Sequence, residues 1–432
     1  MSAKRTSRGW VASIAVIGLA LAGCTGSTPA QTTTTTPPVS TPPVSTPAGS
    51  TTPSGASTSS GSTAATGSTA APDSGAAADL EQALAELVAM PNGPLGVIAV
   101  TQIDDERTVH AVGVADVTTG AAPIVDGHMR IASAAKAFSG ATALALVDKG
   151  LLSLDDTIGQ RLPGQPAAWA SVTLRQLLSH TSGLPDFSQS PAFQEAVKVS
   201  LEVAPPPSQL LTYVADQPLV FPSGSQYMYD NSDNIAVALM IEAVTGKAYA
   251  EALQEQVLQP LGLDETSLPA GIEIAEPTFR GYELEPPNAP NDVTELIAAG
   301  WSWASGGIVS TPEDMNDFIR GYVGGELFGP ETQAEQTDLF IPGGESGPPG
   351  PGVNSASLAL FRYQTPCGVV YGHTGNTFGY TQFAVASPDG TRSATVAINV
   401  QRSTSGDEPE LQVLHALQEA EQAAICTILE GS

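Results

Sequence analysis

The constraint that most limits this fold is where the strand-like segments fall: at the two ends of an otherwise helical chain. Leu95 to Thr101 and Thr108 to Val117 are β-rich runs separated by the polar Asp104-Asp105-Glu106-Arg107 turn. A second group, Val369 to Gly372, Thr381 to Ala386 and Ser393 to Val400, lies near the C-terminus, its last two members joined by Pro388-Asp389-Gly390. Between the groups the periodicity is helical, at Leu174 to Leu178, Ala192 to Val199, Ala236 to Val244 and Ala250 to Leu258. Helical spacing also marks Ala78 to Met90, ended by Pro91 and Gly93, and the amphipathic stretch from about Glu410 to Leu429. This order predicts an α+β domain: one antiparallel sheet formed from the N- and C-terminal segments, flanked by helices, with an all-helical insert.

Composition removes the first part of the chain from that domain. Residues 1–24 carry Lys4, Arg5 and Arg8, an apolar run from Trp10 to Leu21, and then Leu21-Ala22-Gly23-Cys24. A run this short behind a basic front reads as an export signal and not as a spanning helix. Residues 25–77 are almost only Thr, Ser, Pro, Gly and Ala, which cannot bury a core and are expected to form a disordered tether. The folded domain proper is expected at 78–432. Its surface is acidic, since the chain has 44 acidic and 16 basic residues and a net charge of −28. That balance argues against nucleic acid and against electrostatic docking on anionic lipid. Five scattered histidines offer no close ligand cluster, so no metal or other cofactor is expected. Cys367 and Cys426, an even pair in an exported domain, read as a disulfide.

The chemistry is expected at Arg130-Ile131-Ala132-Ser133-Ala134-Ala135-Lys136-Ala137-Phe138, which opens an alanine-rich apolar run ending at Val147. Residues three apart share a helix face, so Ser133 and Lys136 would set a hydroxyl beside an amine at a helix N-terminus. An amine whose charge is disfavoured by burial can take the hydroxyl proton, and first-turn amides can stabilise an oxyanion. Serine also caps helices and lysine is usually solvated. Here, however, lysine is scarce in the domain, and the neighbours of Lys136 are Ala, Phe and Ile. Two further motifs follow. Tyr229-Asp230-Asn231 is expected on a loop before a helix, where a phenol near an ammonium can shuttle a proton and an amide can hold a carbonyl. His373-Thr374-Gly375 begins the late strand region, where glycine lets a ligand approach an edge.

Ser-x-x-Lys, Tyr-x-Asn and His-Thr-Gly in this order resemble the penicillin-recognising serine hydrolases, in particular the branch of class C β-lactamases, D-alanyl-D-alanine carboxypeptidases and related esterases. Gly150-Leu151-Leu152-Ser153-Leu154-Asp155-Asp156, Leu177 to Leu184 and Ser305-Gly306-Gly307-Ile308-Val309-Ser310-Thr311 extend the resemblance, which covers about Ala78 to Cys426. Tyr371 to Gly375 and the late cysteines are most similar to exported actinomycete carboxypeptidases. The Leu-Ala-Gly-Cys sequence resembles the lipobox of bacterial lipoproteins, implying lipidation at Cys24 and an extracytoplasmic, membrane-anchored protein, taken as a monomer. The resemblance implies a β-lactamase/transpeptidase-like fold and an acyl-enzyme on Ser133, with Lys136 beside it and Tyr229 as the proton shuttle; which of the two is the acylation base stays open. It further implies that Asn231 contacts the substrate amide, that the backbone N–H groups of Ser133 and Asn376 form the oxyanion hole, and that Trp301 walls the cleft beside His373, Thr374 and Gly375. Peptidoglycan stem peptides, β-lactams, or small esters and amides are the implied partners. His180-Thr181-Ser182-Gly183 is read as a structural turn and not as part of a triad.

One departure bears on substrate. Carboxypeptidases of this branch carry a carboxylate-binding arginine shortly before the late cysteine, and here Phe361 falls at that place with Arg362 next to it. Asn376, where threonine is common, is a milder departure. A D,D-carboxypeptidase, a serine esterase or amidase of the same fold, and a non-catalytic wall-binding lipoprotein are the three readings that remain.

Overall fold

Gly96 to Ile103 is apolar at nearly every position because it becomes a strand covered on both faces. In the computed structural model, which describes residues 74–338, 340–343, 347–348 and 354–431, Ile98 and Val100 enter one core while Val97 and Ala99 enter another. The leader, Cys24 and the tract up to residue 73 lie outside the described residues.

The strands are β1 (Gly96–Ile103), β2 (Glu106–Gly113), β3 (Phe361–Thr365), β4 (Gly368–Thr377), β5 (Tyr380–Ala386) and β6 (Arg392–Ile398). They run in the spatial order β2-β1-β6-β5-β4-β3, followed by two short strands, Ser355–Ala356 and Ile341–Pro342. Every pair is antiparallel, and β1 joins the C-terminal strands by pairing with β6 from Val97↔Ile398 to Ile103↔Arg392. The sheet is therefore built from both termini, as the segment order predicts. The hairpin turn is tighter than the sequence implies: Ile103 pairs with Glu106, so Glu106 and Arg107 belong to β2. Arg107 is drawn into the strand by ion pairs with Glu313 and Asp317.

One face of the sheet is covered by α1 (Ser74–Ala89) and α5 (Glu408–Glu430), whose Leu80, Leu84, Leu87, Val413, Leu417 and Ile425 are buried there. Helix α1 starts earlier than Ala78, so residues 74–77 are not tether. Ala76 to Ala78 are strong helix formers, and the Ala76 carbonyl accepts from Thr427 Oγ1 at 3.1 Å. Cys367 and Cys426 form a disulfide, Cα atoms 5.2 Å apart, tying the β3–β4 turn to α5 across 59 residues. By the chain-entropy argument such a loop contributes about 4 kcal/mol.

The other face carries α2 (Ala135–Asp148), α3 (Asn231–Thr245) and α4 (Pro312–Val323). Helix α2 is buried on nearly all sides, which explains its run of small residues: close approach leaves no room for larger ones. A Cβ on Gly140 would lie 2.0 Å from the Ala359 Cβ. Helix α4 was not expected from periodicity, although Thr311-Pro312-Glu313-Asp314 carries a start signal, with Thr311 Oγ1 accepting from the Asp314 N–H at 3.1 Å.

Two outcomes follow for stability. Gly140→Ala destabilises the protein by about 1–3 kcal/mol despite the better helix propensity of alanine, because overpacking against Ala359 outweighs it; chemical denaturation checks this. Glu421 on α5 is fully buried, its Oε2 has no hydrogen-bond partner, and burial raises its pKa to about 8. The native state thus holds a proton that the unfolded chain releases near 4.5, so stability falls as pH rises from there toward 8, by on the order of 4 kcal/mol. Thermal unfolding of Glu421→Gln across that range is expected to show a flatter dependence on pH.

Candidate active site

From Gly127 to Leu146 every residue is buried except Ser133. A half-buried hydroxyl in an otherwise buried run is the one side chain there open to a molecule from solvent. Ser133 sits in the 3-10 turn Ala132–Ala134 that leads into α2. The preceding Ala132 has φ of 48°, a left-handed conformation costly for alanine. The turn is pinned on both sides. The Ile131 N–H donates to the Ile308 carbonyl at 3.1 Å, and the Ile131 carbonyl accepts from Gln382 Nε2 of β5 at 2.7 Å. Gly375 on β4 lies against the same carbonyl, and a Cβ there would fall 2.1 Å from it. Glycine is therefore required for the strand to reach the turn.

Lys136 is 0% exposed and its Nζ has three partners: Asn231 Oδ1 at 2.8 Å, the Ser305 carbonyl at 2.9 Å and Ser133 Oγ at 3.3 Å. The first two can only accept hydrogen bonds. Ser133 is the one partner able to donate to a neutral amine, so the lone pair of that amine has one use. Burial lowers the Lys136 pKa to about 7, against the opposing pull of Asp186, Asp230 and Asp233. The amine is thus available unprotonated near neutral pH.

Tyr229 places its ring 4.8 Å from Lys136 Nζ. Its hydroxyl is buried, with the Ser133 hydroxyl close enough to influence it. Burial pushes its pKa far above the usual phenol value, with the Ser133 hydroxyl opposing. The neutral phenol is therefore the resting form. Asp230 caps α3, accepting from the Ser232 and Asp233 N–H groups, so Asn231 is the first helical residue and not part of a loop. The Asn231 amide is committed internally. Its Oδ1 faces Lys136, and its Nδ2 donates to Asp186 Oδ2 and Ser188 Oγ, each at 3.1 Å. Both of its donors thus face protein acceptors. Burial pushes Asp230 and Asp233 well above the carboxylate range, aided at Asp230 by Asp233 and Asp186, and opposed at Asp233 by a hydrogen bond with Ser182.

His373 is buried and donates from Nδ1 to the Thr374 carbonyl at 2.6 Å. Burial and the Lys136 charge lower its pKa to about 3, so it is neutral. Strand β3 pairs with β4 only as far as Phe361↔Gly372, whereas β5 pairs on to Tyr380↔Thr377. The outer edge of His373–Thr377, with Thr374, Gly375 and Asn376, carries no strand among the described residues. The Asn376 side chain is turned to the Arg402 carbonyl at 2.6 Å. Trp301 is used for packing: it meets Phe193 edge to face at 5.5 Å and donates from Nε1 to the Ser200 and Leu201 carbonyls. It anchors the loop after residue 199.

The ring of Phe361 lies 5.0 Å from that of His373 and 6.3 Å from that of Tyr229. Arg362, the next residue on the strand, faces away, its guanidinium 5.3 Å from the Phe340 ring. Asp186, Asp233, Ser188 and the Ser305 carbonyl are members of the site that the sequence reading missed. Only the capping pattern after Asp230 could have signalled any of them.

A family profile described as Beta-lactamase matches residues 80–418. The D-alanyl-D-alanine-carboxypeptidase/endopeptidase AmpH of Escherichia coli is 27% identical over 272 residues, covering 61% of this chain and 66% of AmpH. Penicillin-binding protein 4* of Bacillus subtilis is 27% identical over 188 residues, covering 43% of this chain and 40% of that protein. These curated relatives are thus matched over less than two thirds of their length. A D-stereospecific amidohydrolase from Streptomyces superposes with a TM-score of 0.67 at 26% identity, covering 78% of this chain and 97% of that one.

The contact of Lys136 with the Ser133 hydroxyl predicts that the reactivity of that hydroxyl follows the Lys136 proton. Modification of Ser133 by a phosphonate reagent, followed by intact mass, is expected to speed up as pH rises through about 7, where Lys136 loses its proton. The groups facing Lys136 are Asp186, Asp230, Asp233, His180, His373 and Tyr229. Asp186→Asn removes the largest influence holding that pKa up, so the rise is expected to move to lower pH.

Proposed function

This chain belongs to the beta-lactamase family, and we propose that it is an exported serine hydrolase that works through an acyl-enzyme on Ser133. The observation that carries this reading is the contact of Lys136 Nζ with two pure acceptors and the Ser133 hydroxyl. Neutral Lys136 takes the hydroxyl proton as Ser133 Oγ attacks a carbonyl carbon. The oxyanion that forms is met by the N–H groups of Ser133 and Asn376. The phenol of Tyr229 hands its proton to the leaving nitrogen or oxygen and regains one from the Lys136 ammonium, and the acyl bond to Ser133 remains. Water then enters along the same proton route and releases the acid. Lys136 is the better acylation base because burial disfavours the phenolate form of Tyr229.

The substrate class is an amide or ester next to a D-amino acid residue, the type cleaved in D-alanyl peptides of peptidoglycan, with β-lactams as mimics. The names of AmpH and of the Streptomyces amidohydrolase support this class. The substrate extends along the open edge of β4. Within this class, Phe361 in the site and Arg362 turned onto Phe340 favour a leaving group without a free carboxylate, since a buried carboxylate lacking a cation is costly. An amidase or esterase is thus the second reading beside a D,D-carboxypeptidase. The short apolar leader and Cys24 support a lipid-anchored location outside the cytoplasm.

Full-length protein mixed with a fluorescent penicillin is expected to gain one covalent adduct, lost in Ser133→Ala and Lys136→Ala. A peptide ending in D-Ala-D-Ala compared with its C-terminal amide separates the two substrates: faster cleavage of the amide form supports the amidase reading, and faster cleavage of the free acid supports the carboxypeptidase. No adduct and no cleavage of either peptide or of a p-nitrophenyl ester would overturn the hydrolase.

A further inference from the structure

His180 and Asp233 form a buried pair beside Tyr229. His180 Nδ1 and Asp233 Oδ2 are 2.9 Å apart, with the side chains 5% and 0% exposed. A serine, a histidine and an aspartate in one site invite a triad. The contacts run otherwise: the Ser133 hydroxyl meets Lys136, and the imidazole lies against the Tyr229 ring, centroids 4.6 Å apart and planes tilted by 38°.

The backbone repeats the connection. The Met228 N–H donates to the His180 carbonyl at 2.9 Å, and the Gly224 N–H donates to the Thr181 carbonyl at 2.7 Å. The His180-Thr181-Ser182-Gly183 turn thus carries the segment that ends at Tyr229. His180 itself has φ of 54°, a conformation that a non-glycine residue holds only where its surroundings enforce it. One turn of α3 supplies those surroundings: Asp230 caps it, Asn231 reaches Lys136 and Asp233 reaches His180. Burial keeps the imidazole neutral, with a pKa lowered to about 3.

We propose that His180, oriented by Asp233, is a positioning residue for Tyr229: its ring face fixes the tilt of the phenol and thereby the place of the phenol hydroxyl beside Ser133 and Lys136. The inference rests on the proton-transfer role proposed for Tyr229. His180 acts only through Tyr229, so its contribution disappears when the phenol hydroxyl is removed.

The test is a double-mutant cycle on the full-length chain, reading the rate of Ser133 acylation by a fluorescent penicillin and kcat and KM on a p-nitrophenyl ester. His180→Ala is expected to lower acylation and kcat about 30-fold with KM nearly unchanged, the effect of a misplaced proton donor. His180→Phe, which keeps a ring face, is expected to recover most of the loss. In a Tyr229→Phe background, His180→Ala is expected to change the rate by less than about 3-fold. Equal losses in both backgrounds would overturn the proposal, as would a loss as complete as that of Ser133→Ala without rescue by phenylalanine, which would make His180 the base. If His180→Ala does not fold, Asp233→Ala, which removes the acceptor that orients the imidazole, takes its place in the double-mutant cycle with Tyr229→Phe. Activity that survives in Ser133→Ala defeats the hydrolase reading itself. An inactive Ser133→Ala beside a fully active Tyr229→Phe defeats the positioning role alone.

Discussion

The structure turns on one buried amine. Lys136 is placed where water cannot reach it, and its three partners comprise two carbonyl-type oxygens and one hydroxyl. A charged ammonium would be served equally by all three. A neutral amine, which burial favours, can be served fully only if the hydroxyl turns its proton inward. In the proposed mechanism, activation of Ser133 is therefore a consequence of satisfying a buried polar group. The same demand explains why Asn231 and Ser305, on α3 and on the loop before α4, have to converge on α2.

That convergence gives the two cores different duties. The core between the sheet and α1 with α5 holds the strands in register, and a disulfide locks it. The core between the sheet and α2, α3 and α4 sets the distances in the site. There, small residues allow backbones to close in: Gly375 on the turn before Ser133, and Gly140 on Ala359. Left-handed φ at Ala132, His180, Trp303 and Ala359, none of them glycine, lies around this second core and is held by the packing that the first core makes possible.

Much of the arrangement can be read in the chain. Ser133 and Lys136 are three apart, one in the 3-10 turn and the other in the first turn of α2, and local spacing suffices to pair them. Strand patterns at the two ends lead to a sheet closed by β1 against β6. Less legible were contacts that depend on distant segments. Nothing near Asp186 or Ser305 marks them as neighbours of Lys136, because they arrive through the packing of α3 and of the loop before α4. The side of β3 that Phe361 takes depends on register, where a shift of one residue exchanges it with Arg362. His180 was read as part of a turn. That is its backbone role, and its side chain does more because Asp233 stands one helical turn from the cap.

The pairing of β1 with β6 also orders events in time. Ser133 lies in the first third of the chain, yet the glycine that backs its turn is Gly375 and the strand that seats the N-terminal hairpin ends at Ile398. A nascent chain that has emerged past the nucleophile still lacks Gln382 to hold the Ile131 carbonyl. Contacts of such long sequence separation form late. The serine therefore stays chemically ordinary while the polypeptide is being made, and the contacts that hold its turn beside Lys136 arrive only when the last strands are in place.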